Sequence, residues 1–359
     1  MTLLDIPPLR YRRNGTMGPA NVNNVTSSQP ATWPAKAAKA RLHYVSGKGG
    51  TGKSTVAGAL ALALAAGGRR VLLVEVEGRQ SIAQLFDLPP LPPTETKIAT
   101  ADGGGEVVAL ALDVPHAFLE YLEMFYNLGF AGRALKRMGA VDFVTTLAPG
   151  LKDVIITGKI KECVNRIDKT GHRTYDAIVV DAPPTGRITT FLDVTKAMAE
   201  MAKGGPVMNQ AIGVSELVHS EQTMVHLVTL LEALPVQETA DAVADLTSNH
   251  FHVGAVIVNR ASEPFLPADA IGAAADGRLD RVAIAESLHK AGLPVNDTAI
   301  DGLLTEASEY AMRVQAQNEC AAALEKVDVA RMRLTALTDG VDLGGMYELA
   351  EQLAEQGVR

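Results

Sequence analysis

Cysteine is almost missing from this sequence. Cys163 and Cys320 stand alone, outside any CxxC spacing. No protein-contained zinc site or thioredoxin-like centre is therefore expected, and both thiols read as ordinary reduced side chains of a cytoplasmic protein. An excess of positive charge is also missing. The formal net charge is −8 and the pI about 5.5. A broad, sequence-independent grip on nucleic acid needs a basic face, so nucleic acid is not an expected partner. Nowhere do 18 apolar residues run consecutively, which leaves no candidate for a membrane-spanning helix. The first forty residues hold no apolar stretch long enough for a signal-peptide core.

What is present is globular material: 359 residues, 47% hydrophobic and 21% charged, enough for two domains or one large one. Residues 1–40, rich in Pro, Asn, Ser, Thr and Ala, read as a mostly disordered arm. Residues 41–359 read as one nucleotide-binding domain. Apolar strand-like runs occur at 41–46 (RLHYVS), 69–76 (RRVLLVEV), 107–112, 175–181 (YDAIVVD), 225–232, 253–259 (VGAVIVN) and 331–337. Helical patterns separate most of them, which predicts an α/β doubly wound, mostly parallel sheet. Two intervals, 114–170 and 187–224, are too long for simple crossovers. They are almost wholly helical in pattern and predict an inserted helical subdomain. The stretch 88–97 (LPPLPPTETK) reads as an extended loop.

The chemistry concentrates after the first strand, in YVSGKGGTGKST. Gly47, Gly52, Lys53 and Ser54 fit the phosphate-loop spacing, with a strand before and a helix after. Gly49, Gly50, Thr51 and Thr55 complete the turn, whose backbone N–H groups cradle phosphates beside a helix N-terminus. Lys53 is expected at the β and γ phosphates of ATP, and the Ser54 hydroxyl on Mg2+. Asp181 ends a buried strand, where a carboxylate reaches the same ion. The loop after it, APPTGR, is built to sense the γ phosphate. Glu75 and Glu77 alternate at the end of the second strand; either is placed to orient or deprotonate the attacking water. Asn259, followed by Arg260, offers a donor and an acceptor to an adenine edge.

One lysine more than phosphate binding needs, Lys48, sits inside the turn. The block KGGTGKST resembles the lysine-first phosphate loop of a group of dimeric ATPases that includes partition ATPases, iron-protein-like reductases and arsenite-transporter ATPases. That resemblance implies that Lys48 reaches a partner subunit's nucleotide. Within the group, DAPPTGR (181–187), APGLKD (148–153), TLLEALPVQET (229–239) and VIVNR (256–260) are similar to motifs of the arsenite-transporter and tail-anchored-protein-targeting ATPases, in a bacterial, actinobacterial-type form. The resemblance thins beyond residue 260. Several features depart from it. Glu77-Gly78-Arg79 stands where the family has an Asp-Pro-Ala switch, and Arg187 stands where it has histidine. The metal-binding cysteines of the arsenite pumps and the zinc-binding pair of the eukaryotic targeting dimers have no counterpart.

The resemblance implies a Mg2+-dependent ATPase binding ATP and ADP, working as a homodimer or as a heterodimer with a paralogue, and handling a hydrophobic or membrane-protein client. A nucleotide-bound adaptor with little hydrolysis, and a partition or positioning ATPase, are the alternatives. In the helical intervals, Phe118, Tyr121, Phe125, Tyr126 and Phe130, with Met198, Met201, Met208 and Met224, either bury one another or line a client groove; mutual burial is the simpler expectation.

Overall fold

The computed structural model describes residues 33–118, 120, 149–194, 206–293, 295–338 and 340–359. Its chain groups into two compact units, one formed by residues 31–261 with 324–359 and another containing residues 262–323.

The first unit is built on eight strands. They are β1 (Leu42–Gly47), β2 (Arg70–Glu75), β3 (Thr96–Thr100), β4 (Glu106–Ala111), β5 (Ala177–Asp181), β6 (Thr223–Thr229), β7 (Val253–Ala261) and β8 (Ala330–Thr335). Their order across the sheet is β3-β4-β2-β5-β1-β6-β7-β8, and every neighbouring pair is parallel except β3 with β4. β1, β5 and β6 are buried along their whole length, as expected of parallel strands covered on both faces. The doubly wound expectation holds. The edge strand β3, TKIAT, was not expected from the sequence, because its mixture of Lys and Thr at a half-exposed edge carries no apolar run.

Helix α1 (Lys53–Ala65) is buried from Val56 to Ala65. Such a helix needs cover all round. The sheet supplies one side and the C-terminal helix α10 (Leu343–Glu355) supplies the other. Gly58 allows that approach, since a Cβ there would lie 2.5 Å from Met346 Cε. The opposite face carries α3 (Pro149–Asn165), α4 (Thr185–Leu192), α5 (Pro206–Val218) and α6 (Ala233–Ser248). A short α2 (Ser81–Leu85) follows β2. Tyr44 of β1 meets Phe191 of α4 edge-on at 6.3 Å, marking that second layer.

The described parts of the two helical intervals therefore pack on the sheet. Val154, Ile155, Ile156 and Ile160 of α3 are buried, and Met224 lies in β6 with 1% exposure. Met224 is thus core, not adaptable surface. Tyr121, Phe125, Tyr126, Phe130, Met198 and Met201 lie outside the described residues. A separately compact unit is formed by the long β7–β8 crossover. It holds α7 (Ala268–Ala275), α8 (Arg281–Lys290) and most of α9 (Asp297–Glu325), and Ile271, Ala274, Ala311 and Val314 form its own small core. Asp280 caps α8 by accepting from the Val282 and Ala283 amides.

The arm's last residues belong to the fold. Trp33 is 5% exposed, its amide donates to the Gln356 carbonyl at 2.8 Å, and Ala37–Lys39 form a 3-10 turn leading into β1. Its indole stacks on the His226 ring at 4.8 Å, and His226 Nε2 meets His43 Nδ1 at 3.1 Å. Both imidazoles are fully buried. Burial lowers the His43 pKa from 6.5 to about 4 and pushes His226 well below its ordinary value. Between pH 6.5 and 4 the unfolded chain binds protons that the folded one refuses, so stability is complete above pH 6.5 and falls as pH falls. At about 1.4 kcal/mol per pH unit, His43 alone should cost about 2 kcal/mol by pH 5. His43→Leu should shrink the loss of urea-unfolding stability between pH 7.5 and pH 5 by that amount. An undiminished loss would assign the acid sensitivity elsewhere.

Candidate functional site

The carboxyl ends of β1, β2 and β5 converge on a cavity of about 300 Å³. Parallel pairing sets their register: Val45 lies beside Asp181, and Asp181 beside Glu75. The glycine turn after β1 wraps this end of the sheet. Gly50 and Gly52 take φ of +89° and +85°, a region that glycine enters freely and other residues do not. Gly47 is fixed by crowding, since a Cβ there would lie 2.5 Å from the Val228 carbonyl oxygen. Thr51 Oγ1 closes the turn by donating to the Lys48 carbonyl at 2.8 Å.

Lys53 and Ser54 open α1 and meet the strand-ending carboxylate directly. Lys53 Nζ lies 2.6 Å from Asp181 Oδ1, and Ser54 Oγ donates to Asp181 Oδ2 at 2.6 Å. The loop after Asp181 is pinned by Ser46, whose hydroxyl donates to the Pro183 carbonyl at 2.6 Å. Glu75 is 1% exposed, and its Oε1 accepts from the Ser81 amide at 2.8 Å. Burial raises its pKa and the Asp181 charge adds to the rise, while the Ser81 amide and Lys53 oppose it. Glu77 also lines the cavity, half-buried and 3.7 Å from Arg79. The wall is mixed in sign, with Lys48, Lys53, Arg79 and Arg260 facing Glu75, Glu77 and Asp181.

A second cavity of about 110 Å³ shares Glu77 and Arg79 with the first, and Lys152, Asp153 and Arg187 also line it. Arg187 Nη2 bonds both Asp153 oxygens at 3.1 Å, joining the APPTGR loop to α3. Burial raises the Asp153 pKa against the pull of that guanidinium.

Two expected residues make intrachain contacts that the sequence did not foretell. The Asn259 amide donates to the Thr51 carbonyl at 2.8 Å and is 5% exposed. It braces the turn from behind with one N–H of its amide. Arg260 does line the cavity, at a φ of 52°. Lys48 is held within its own chain by Glu238 Oε1 at 2.5 Å. Glu238, Ser81 and Ser46 were not singled out from the sequence. Only Glu238 had a signal, as the acid of the TLLEALPVQET joint.

The brace and the strained turn make a prediction. A Cβ on Gly52 would lie 2.3 Å from Asn259 Nδ2, whereas one on Gly49 meets nothing within 4 Å. Gly52→Ala combines a forced left-handed backbone with loss of the Asn259 bond, a cost of about 2–4 kcal/mol. ADP binding by calorimetry should weaken at least tenfold, while Gly49→Ala should leave the melting midpoint unchanged. Equal effects of the two changes would contradict this account.

The residues fit a magnesium–nucleotide pair: a glycine cradle, a hydroxyl and carboxylate side by side, and a buried carboxyl oxygen, Glu75 Oε2, without a partner among the described residues. A family model described as "Anion-transporting ATPase" matches residues 40–219. "ATPase BagA" of Mycobacterium tuberculosis is 59% identical over 327 residues, covering 91% of this chain and 96% of that protein. "ATPase GET3" of Chaetomium globosum is 26% identical over 200 residues, 53% of this chain and 56% of its own. "ATPase ASNA1 homolog" of Entamoeba dispar is 22% identical over 280 residues, 67% of this chain and 80% of its own.

Proposed function

The chain belongs to the anion-transporting ATPase family and is an ATP hydrolase, and from that premise we propose that it is a Mg2+-dependent, dimeric nucleotide switch. The carrying observation is the Lys53–Asp181–Ser54 cluster at the mouth of the glycine turn. Ser54 and Asp181 would hold the magnesium ion, and Lys53, released from Asp181, would turn to the β and γ phosphates. The ion, when bound, offsets charge developing on the phosphoryl oxygens. Glu77 would orient and deprotonate the attacking water, a reading supported by its place on the walls of both cavities, while Glu75 has one carboxyl oxygen engaged by the Ser81 amide.

Lys48 supports a dimer. It lies on the cavity wall, 29% exposed, and its Glu238 partner is 36% exposed. A pair this open contributes at most about 1 kcal/mol, so a partner's triphosphate can outcompete it. The pairing of Arg187 with Asp153 supports a link between the γ-phosphate loop and α3, through which nucleotide state would reach a hydrophobic client or membrane-protein partner. No helix among the described residues is long and apolar enough to cross a membrane; we place the protein in the cytoplasm, meeting membranes through its partner. The second subunit is another copy or a paralogue.

Turnover and molecular mass measured together in Mg-ATP and Mg-ADP test this reading. Hydrolysis that requires Mg2+ and a doubled mass in Mg-ATP are expected. A mass that stays monomeric in both nucleotides, with and without a co-expressed paralogue, would overturn the dimeric switch.

A further inference from the structure

Glu75 has no place in the mechanism above, yet it is the most confined carboxyl of the site. It ends β2 directly beside Asp181 on β5. Register partners in a parallel pair leave the sheet on the same side, so the two carboxyl groups rise together toward the cavity. Both lie on its wall with Lys53 and Ser54. Asp181 has both oxygens engaged, by Lys53 and Ser54. Glu75 has one oxygen engaged, by the Ser81 amide, and its buried Oε2 has no partner among the described residues. Leaving such an atom unsatisfied in a core costs about 1–3 kcal/mol, and a small or apolar residue would avoid it. The Ser81 bond fixes one oxygen of a carboxyl group whose residue lies on the cavity wall.

Magnesium keeps several waters when a protein holds it through one or two groups and a nucleotide. Those waters donate hydrogen bonds and need acceptors that are fixed and negatively charged. We propose that Glu75 is a second carboxylate of the magnesium centre, accepting from the ion's water shell through Oε2 while Ser54 and Asp181 take the near side. The inference rests on the magnesium reading of Ser54 and Asp181 given above. It gives the end of β2 and the turn after it two acids with separate tasks: Glu75 toward the cation, and Glu77, two residues on and shared with the smaller cavity, toward the water.

Mn2+ is the probe, with free ion read by electron paramagnetic resonance in the presence of saturating ADP. Glu75→Gln keeps an acceptor for the Ser81 amide and removes the charge, so the local fold is preserved. It should weaken Mn2+ binding about 10–100-fold, as loss of an outer-sphere partner does. ADP affinity in EDTA should stay within about twofold of the native value, which a merely structural role for Glu75 would not allow. Unchanged Mn2+ affinity in Glu75→Gln, with Ser54→Ala and Asp181→Asn both weakened, would overturn this inference alone. Unchanged affinity in all three would overturn the magnesium reading itself.

Discussion

Lys53→Met should lower ATP turnover about 10²–10³-fold, the effect of removing one preorganised donor from a developing phosphoryl charge. The side chain is 12% exposed and already points into the site, held there by Asp181 at 2.6 Å. Methionine keeps the stem and deletes the charge. The usual danger of breaking a buried ion pair is an abandoned charge, at about 3–5 kcal/mol. Here Asp181 keeps the Ser54 hydroxyl and faces a cavity wide enough for water. The melting midpoint should therefore fall by less than about 5 °C. Initial rates of phosphate release, beside a thermal melt, check both halves. Turnover within tenfold of native would remove Lys53 from the phosphate chemistry.

Lys48→Ala should lower turnover about 10²–10³-fold for a different reason: a charge supplied in trans is lost, as with an arginine finger. Nucleotide affinity of the isolated subunit should barely change, because Lys48 spends that state on Glu238. Glu238→Gln separates the roles. It frees Lys48 without altering it, so the ATP-dependent dimer should form at lower protein concentration, with turnover retained. Mass photometry and phosphate release across a concentration series measure both. If Lys48→Ala hydrolyses ATP at the native rate, the lysine is a surface group and the dimer needs another explanation.

The legible parts of this protein were those written locally. The glycine turn, the apolar strands and the terminal Asp181 each sit within one short stretch, and each lies where expected. What escaped depends on distance along the chain. Glu238 reaches Lys48 across 190 positions, and Asn259 reaches Thr51 across 208. No periodicity encodes such a meeting. Asn259 was legible as a strand-ending amide, but its bond to the Thr51 carbonyl is made by packing. Trp33 was hidden by its neighbours' composition, because one indole finding one pocket leaves no pattern. The unit at 262–323 escaped because α8 and α9 expose much of their surface, so their apolar stripes are thin.

Trp33 is the single tryptophan of the chain, and its place gives the molecule a built-in optical gauge. The indole stacks on His226 and sits 6.0 Å from His43, the second residue of β1. The glycine turn leaves β1 at its other end, roughly 15 Å away at the rise of a strand. ATP cannot touch the indole. Any nucleotide-dependent change in tryptophan emission would therefore be carried through the packed core, along β1 and β6 or through α1 and the C-terminal helix, and its amplitude would report how stiffly that core ties the phosphate site to the far side of the domain.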